Sequence, residues 1–425
     1  MGFLRGLLSA LGFIGFTGNI VAQDLGSMSA IYREALDYQG LGRIAELRQQ
    51  AANDRVRMAE RFLSGNPSVT LSQKTDQWNQ NLGEREDAIG LSLPLWRWGE
   101  REAATQASRM GAKLAEREAQ IDQYALAGQV REAVWRYILE HLRLQQLEIQ
   151  LEEAQKTERD AKRRYELGDI AKIDWFNARI AVQNILTGLA EQKSQRSQAE
   201  RLLVQVTGKT GSQLGLTFKH DAYPILLGRL AERLPEAEEK SAALEEAPEY
   251  QLLLTRLRLN NHRLQIVQAQ GSGHPELSIE SARSRGVSGE PFVQTVTVSI
   301  ALPFGGQSQQ REALAQITLE RERNQQALRQ FEKTFEFFWQ TGLAEIEEKL
   351  RVRALANKSL SDAQAIREAL QKAADAGELA YVERLRAERQ AFDAQVAAIE
   401  ADVNVQQTIS GFLQGIGRLP DGVTH

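Results

Sequence analysis

Four landmarks of the 425-residue chain recur at a nearly constant offset, and this recurrence restricts the fold to two copies of one unit. Gly168 and Gly377 stand 209 residues apart, as do Pro94 and Pro303, and as do the closing glycines of Val-Thr-Gly208 and Gly-Ile-Gly417. Pro67 and Pro275 are 208 apart, so only the stretch between the prolines of each copy has changed length. A period this long marks a duplicated domain, because solenoid repeats run to about 20–50 residues.

Each copy has the same order of patterns. Met28 to Leu63 reads as one helix, with Leu36, Leu41, Ile44, Leu47 and Ala51 at helical spacing, and it stops at Gly65-Asn-Pro67. The period then drops to two. Val69, Leu71 and Gln73 alternate with Ser68, Thr70 and Ser72, and Ile89, Leu91, Leu93 and Leu95 alternate with Gly90, Ser92 and Pro94, which predicts strands at about 67–75 and 87–96. The second copy repeats this at about 275–284 and 292–303, with Leu277, Ile279 and Ser281 followed by Val296, Val298, Ile300 and Leu302.

Very long helices follow. Gly99 to Leu167 contains no proline, and its 69 residues would reach about 100 Å as a helix. Leu126, Val130, Val134, Ile138 and Leu142 keep a four-residue step, and Leu144, Leu147, Leu151 and Ala154 a three-four step, the seam of a coiled coil. Phe331, Phe335, Phe338 and Trp339 line one side of the second long helix. Gly168 and Gly377 stop the two long helices and let the chain reverse, so each copy ends in a helical hairpin, at about 99–206 and 307–412. The expected division is 1–22 leader, 23–208 first repeat, 209–247 irregular connecting segment, 248–417 second repeat and 418–425 tail.

Composition excludes several classes. The net charge of −4 gives no general attraction for nucleic acid. The apolar run from Gly6 to Val21 behind Arg5, closing at Ala22, reads as a secretory signal and not as an anchor, being short for a span. There is no cysteine, hence no disulfide framework and no lipidated cysteine after the signal. His141, His220, His262, His274 and His425 show no ligand spacing, so no metal site and no cofactor is expected, and Glu140-His141 reads as a solvated helix face. No nucleophile elbow or phosphate loop is present, which argues against an enzyme.

The four strands then decide the environment. Their length suits tilted strands crossing a bilayer, yet four strands cannot close a barrel, and an open edge in lipid leaves backbone groups unpaired. Three chains would pool twelve strands. Trp78, Trp96, Trp98, Phe292 and Phe304 lie near strand ends, where an interfacial belt of aromatics belongs. The competing reading, a soluble sheet covered by helices, lacks the apolar sequence elsewhere to cover it.

The chain resembles the TolC-type outer-membrane efflux proteins from about Met28 to Leu419. The resemblance rests on the duplicated order and on Leu-Pro-Leu-Trp-Arg-Trp-Gly-Glu-Arg101 and Leu-Pro-Phe-Gly-Gly306 at the strand-to-helix joins. It rests further on Gly168 with Asp174-Trp-Phe-Asn-Ala-Arg179, and on Gly377 with Glu383-Arg-Leu-Arg386, at the tips. The Leu-Pro-Phe-Gly-Gly and Ala-Gly-Glu-Leu-Ala wording is also similar to the cobalt-zinc-cadmium branch, which would make divalent heavy metals the cargo.

The resemblance implies a mainly α chain with a membrane β-barrel. It is expected to be a homotrimer with a twelve-stranded barrel among outer-membrane lipid, on a long α-helical periplasmic tunnel. The implied function is the passive conduit of a tripartite efflux or type I secretion system, opened by a periplasmic adaptor and powered by an inner-membrane pump. Leu167, Gly168, Asp169, Ile170, Gly377, Glu378 and Leu379 are the expected adaptor contact. Asp174, Asn177, Arg179, Glu383 and Arg386 are expected at the pore entrance, with helix capping as the plainer role for Asp174 and Glu383. Arg386 stands where relatives carry a second acid, so a ring of Glu383 and Arg386 would be near neutral. Pro94, Gly99, Pro303, Gly305 and Gly306 are the expected joins. A periplasmic coiled-coil adaptor or scaffold is the alternative, but an adaptor would show one hairpin between β-rich modules.

Overall fold

Strands from both copies of the unit combine into a single sheet, and the helices of both copies extend from one end of it. The structure is a computed structural model, and it describes residues 27–79, 81–218, 222–271, 273–375 and 381–420. The first copy runs α1 (Met28–Gln39), α2 (Leu41–Ala59), β1 (Ser68–Thr75), β2 (Arg85–Pro94), α3 (Glu100–Glu166) and α4 (Lys172–Thr207). The connecting segment holds α5 (Tyr223–Leu230), a 3-10 turn (Ala237–Glu239) and α6 (Lys240–Glu246). The second copy runs α7 (Pro248–Gln270), β3 (Glu276–Arg285), β4 (Val293–Ala301), α8 (Gln307–Asp375) and α9 (Tyr381–Gly415).

Two expectations are corrected. Met28–Leu63 is two helices, because Gly40 takes the left-handed conformation (φ 66°) and donates its N–H to the carbonyls of Leu36 and Asp37, ending α1. Both pieces pack on α3, so the apolar spacing runs through the break and hides it. The connecting segment is not irregular throughout: α5 starts with Pro224 in its first turn, where the missing N–H costs nothing, and buries Leu226, Leu227 and Leu230.

Those leucines belong to the main core. Trp135, Tyr137, Ile138 and Leu142 of α3 meet Ile31 and Tyr32 of α1, Leu203 of α4, Leu214 and Leu216 of the connecting segment, and Val403 of α9. The four-step run Leu126 to Leu142 is buried throughout. A second core joins Phe335, Trp339 and Ile346 of α8 to Val405, Phe412, Leu413 and Ile416 of α9. The connecting segment contributes to both cores, Leu230 to the first and Ala243 to the second. Beyond these the hairpins thin to paired helices with long exposed faces.

The sheet is antiparallel in the order β1-β2-β3-β4. Every residue of β1 and of β4 is exposed. Register places Leu71, Ile89, Ser281 and Val296 in one row, with Val69, Leu91, Ile279 and Val298 in the next on the same face. The opposite face carries Thr70, Gly90, Glu280 and Thr297. Among the described residues no helix is long and apolar enough to cross a membrane.

Candidate functional site: the hairpin tip, the joins and the sheet

At the first tip α3 ends by backbone geometry alone. Gly168 (φ 82°) donates to the Tyr165 carbonyl at 3.0 Å, and Asp169 N–H donates to the Arg164 carbonyl at 2.8 Å. Leu167, Gly168 and Asp169 are exposed, Leu167 at 70%, whereas Ile170 is half-buried on a small cluster of Ala161, Ala178, Trp175 and Leu385. Trp175 stacks on Tyr165 at 5.5 Å and donates from Nε1 to Glu158 at 2.8 Å. The cap of α4 is Ala171, with no side-chain hydrogen bond. Asp174 therefore sits in the first turn as a charge near the positive helix end, not as a hydrogen-bonding cap. Asn177 is half-buried beside Ala178, and Arg179 lies over the rings of Phe176 (4.7 Å) and Trp175 (5.5 Å).

The second tip is described from Tyr381 onward, and Gly377, Glu378 and Leu379 lie outside the described residues. Glu383, in the first turn of α9, pairs with Arg386 at 2.7 Å on the exposed face. The two hairpins meet here. Arg384 of α9 donates to Glu388 at 2.9 Å and faces Asp160 of α3 at 3.8 Å, while Thr157 of α3 donates to Glu388 at 3.3 Å.

At the other end the joins of the two copies interlock. Gly99 (φ 77°) starts α3 just after Pro94 closes β2, and Gly305 and Gly306 (φ 90° and 70°) precede α8 just after Pro303. Arg97 from the first join donates from Nε to the Gly273 carbonyl at 2.7 Å and from Nη2 to the Pro303 carbonyl at 2.9 Å. The buried Glu100 accepts from Arg97 N–H at 3.0 Å and meets His274 Nε2 at 2.7 Å. Trp96 donates to the Arg61 carbonyl at 3.0 Å, while Trp98 and Phe304 project fully into the surroundings, 100% and 96% exposed.

This geometry has counterparts among known proteins. Residues 43–209 match the family described as outer membrane efflux protein. The crystal structure of the CmeC outer membrane channel of Campylobacter jejuni superposes with a TM-score of 0.70 at 15% identity, covering 92% of this chain and 85% of that one. CusC, crystallised in a study of folding and transmembrane channel formation, gives 0.72 at 17% identity over 92% of each chain. The open state of the Neisseria gonorrhoeae MtrE outer membrane channel gives 0.67 at 16% identity, over 95% and 93%. No curated protein sequence matches the chain.

This is the outer-membrane efflux protein fold. The family that residues 43–209 match and the solved structures that share this fold are of the outer membrane. The fold is that of outer-membrane channels.

Several residues that organise the fold have contacts that the sequence does not reveal. Arg131 of α3 and Glu232 of the connecting segment form a buried ion pair at 2.5 Å, 4% and 3% exposed. Ser410 of α9 donates to Glu232 at 2.7 Å, and Arg131 also donates to Gln414 and to the Arg418 carbonyl. Arg97, Glu100 and Arg384 stand within the motifs of the joins and the second tip, but their contacts with Gly273 and Pro303, His274 and Asp160 come from distant parts of the chain. The solvated reading of Glu140-His141 is overturned. Glu140 accepts from Gln192 at 2.7 Å, and His141 is packed between Tyr137 (5.7 Å, stacked) and Phe218 (5.2 Å, edge-on). Burial, with a smaller contribution from Arg196, pushes the His141 pKa down to about 4.

Proposed function

We propose that three copies of this chain close a twelve-stranded barrel and a continuous helical tunnel, forming the passive conduit of a tripartite efflux system. A periplasmic adaptor opens the conduit, and an inner-membrane pump powers it. The observation that carries this reading is the sheet. Its edges β1 and β4 have no partner among the described residues, and its apolar face is bare, with Leu71 at 76% and Val296 at 67% exposure. In lipid such edges must pair, and identical chains supply the strands that fit.

The hairpin tips are the adaptor contact, through Leu167, Gly168, Asp169 and Ile170 on the first and Gly377, Glu378 and Leu379 on the second. Exposed apolar residues at a tight turn support this, since Leu167 gains by being covered. The entrance is controlled by Asp174, Asn177, Arg179, Glu383 and Arg386. Support comes from the contacts of Arg384 with Asp160 and of Thr157 with Glu388, which tie the second hairpin to the first where the tunnel would narrow. Cross-linking and mass measurement of chain extracted from outer-membrane fractions tests the assembly. Heat-modifiable trimers with single-channel conductance in planar bilayers are expected, and a monomer that stays soluble without detergent overturns it.

A further inference from the structure

The apolar face of the sheet does not stay apolar along its length. Two rows beyond Leu71 and Ile89, at the end remote from the helices, the same face carries Gln73, Asp87, Arg283 and Gln294, and then Thr75, Arg85 and Arg285. Three guanidiniums and one carboxylate thus stand, among polar neighbours, at the end of a face whose nearer rows are mainly aliphatic. Asp87 is already engaged, accepting from Gln73 at 2.8 Å and from Arg85 at 3.1 Å. Arg283 and Arg285 lie over the ring of Phe292 at 4.2 Å and 5.0 Å, and Arg285 donates to the Gly83 carbonyl at 3.2 Å. Their planes are held in place before any ligand arrives.

Immediately below this rim the face dips. Ser281 occupies a row otherwise filled by Leu71, Ile89 and Val296, and a shallow depression of about 560 Å³ opens there, bordered by Leu71, Ile89, Gln73, Asp87 and Arg283. An apolar trough that ends in fixed guanidiniums is complementary to a lipid whose phosphate sits directly above its chains. Guanidinium forks bind phosphate oxygens in pairs, and they do so more strongly at an interface than in bulk water.

We propose that Arg85, Arg283 and Arg285 bind the phosphate of an anionic glycolipid in the outer leaflet of the outer membrane, with the depression beside Ser281 taking the start of one acyl chain. This rests on the channel reading above, which turns the apolar face toward lipid and puts the rim, opposite the helices, at the outer leaflet. Zwitterionic phospholipid fits less well, because its own ammonium competes for the phosphate.

The test uses full-length protein purified from outer membranes, exchanged into detergent and incubated with a bisphosphorylated glycolipid, its dephosphorylated form, or phosphatidylethanolamine. Native mass spectrometry then reads the lipid retained per trimer. Wild type is expected to hold the bisphosphorylated lipid at least 10-fold better than either of the others, with no competition from millimolar inorganic phosphate. The single variant Arg283→Gln and the double variant R283Q/R285Q are expected to lose most of that retention while remaining heat-modifiable trimers. Lys74→Gln, on the opposite face, is expected to lose none. Trimers that retain all three lipids equally, or variants that retain as much as wild type, overturn the lipid site alone. Failure to recover trimers from the outer membrane overturns the channel reading and the lipid site together.

Discussion

Arg97 donates to the carbonyl oxygen of Pro303 at 2.9 Å, so a side chain from the first strand-to-helix join closes the backbone of the second. The same guanidinium reaches Gly273, at the entrance to β3. The duplicated units therefore meet in one brace, placed where the sheet passes into the helices. A force applied to either hairpin is carried to both pairs of strands.

Replacing Arg97 by Met is expected to leave the carbonyls of Gly273 and Pro303 without this donor, at a cost of about 2–4 kcal/mol for charge-assisted hydrogen bonds. The heat-modifiable form should dissociate at a lower temperature on gel electrophoresis. Arg97→Lys should recover only part of the loss, since an ammonium cannot span two carbonyls in the same fork geometry.

The buried pair in the middle of the molecule makes a sharper case. Arg131→Met leaves the carboxyl of Glu232, 3% exposed, with Ser410 as its one remaining donor among the described residues, a loss of about 3–5 kcal/mol. Joint replacement of Arg131 and Glu232 by Met and Gln should recover much of that loss. Thermal unfolding followed by circular dichroism separates the single from the double variant.

At the tip, Gly168→Val forces a β-branched residue into φ 82°, where it is strained by about 1–3 kcal/mol. The turn reshapes while the cores remain intact, because a Cβ at Gly168 meets nothing within 4 Å. Export of a fluorescent efflux substrate is expected to cease, with trimer in the outer membrane at wild-type amounts. Normal export would remove the tip from adaptor docking.

Glu383→Ala removes the partner of Arg386, and in the proposed trimer this would leave a cationic ring at the entrance. Closed-state conductance in planar bilayers should change and shift away from cations. Arg384→Ala should instead raise the closed-state conductance, since it frees α9 from Asp160 of α3. An unchanged conductance in Glu383→Ala would return Glu383 to a helix-end role.

His141 makes stability depend on pH. Below the ordinary pKa of 6.5 the unfolded chain takes up a proton that the folded chain refuses until about 4. Stability is thus complete above 6.5, falls as pH drops through that window, and levels off below it. After discounting for partial exposure the change is about 1–2 kcal/mol. His141→Gln should flatten the decline between pH 6.5 and 4 in chemical unfolding midpoints.

The amino-acid sequence alone determined the duplication, the alternating strands, the long helices with their four-step seam, and the turn at Gly168. Each of these is written in residues close together in the chain, where periodicity and a single left-handed glycine act locally. Tertiary structure decided which charged groups meet which partners. Arg131 and Glu232 stand 101 residues apart in sequence, Arg97 and Pro303 stand 206 apart, and Arg384 faces Asp160 across two hairpins. Strand register likewise decided that Arg85, Arg283 and Arg285 share one face. Helix Met28–Leu63 was misread because one apolar face spans the break at Gly40, and His141 because a polar pair on a helix gives no sign of the Phe218 that covers it. A side chain's ordinary exposure is a property of its type, whereas its burial is imposed by elements that arrive from elsewhere in the fold.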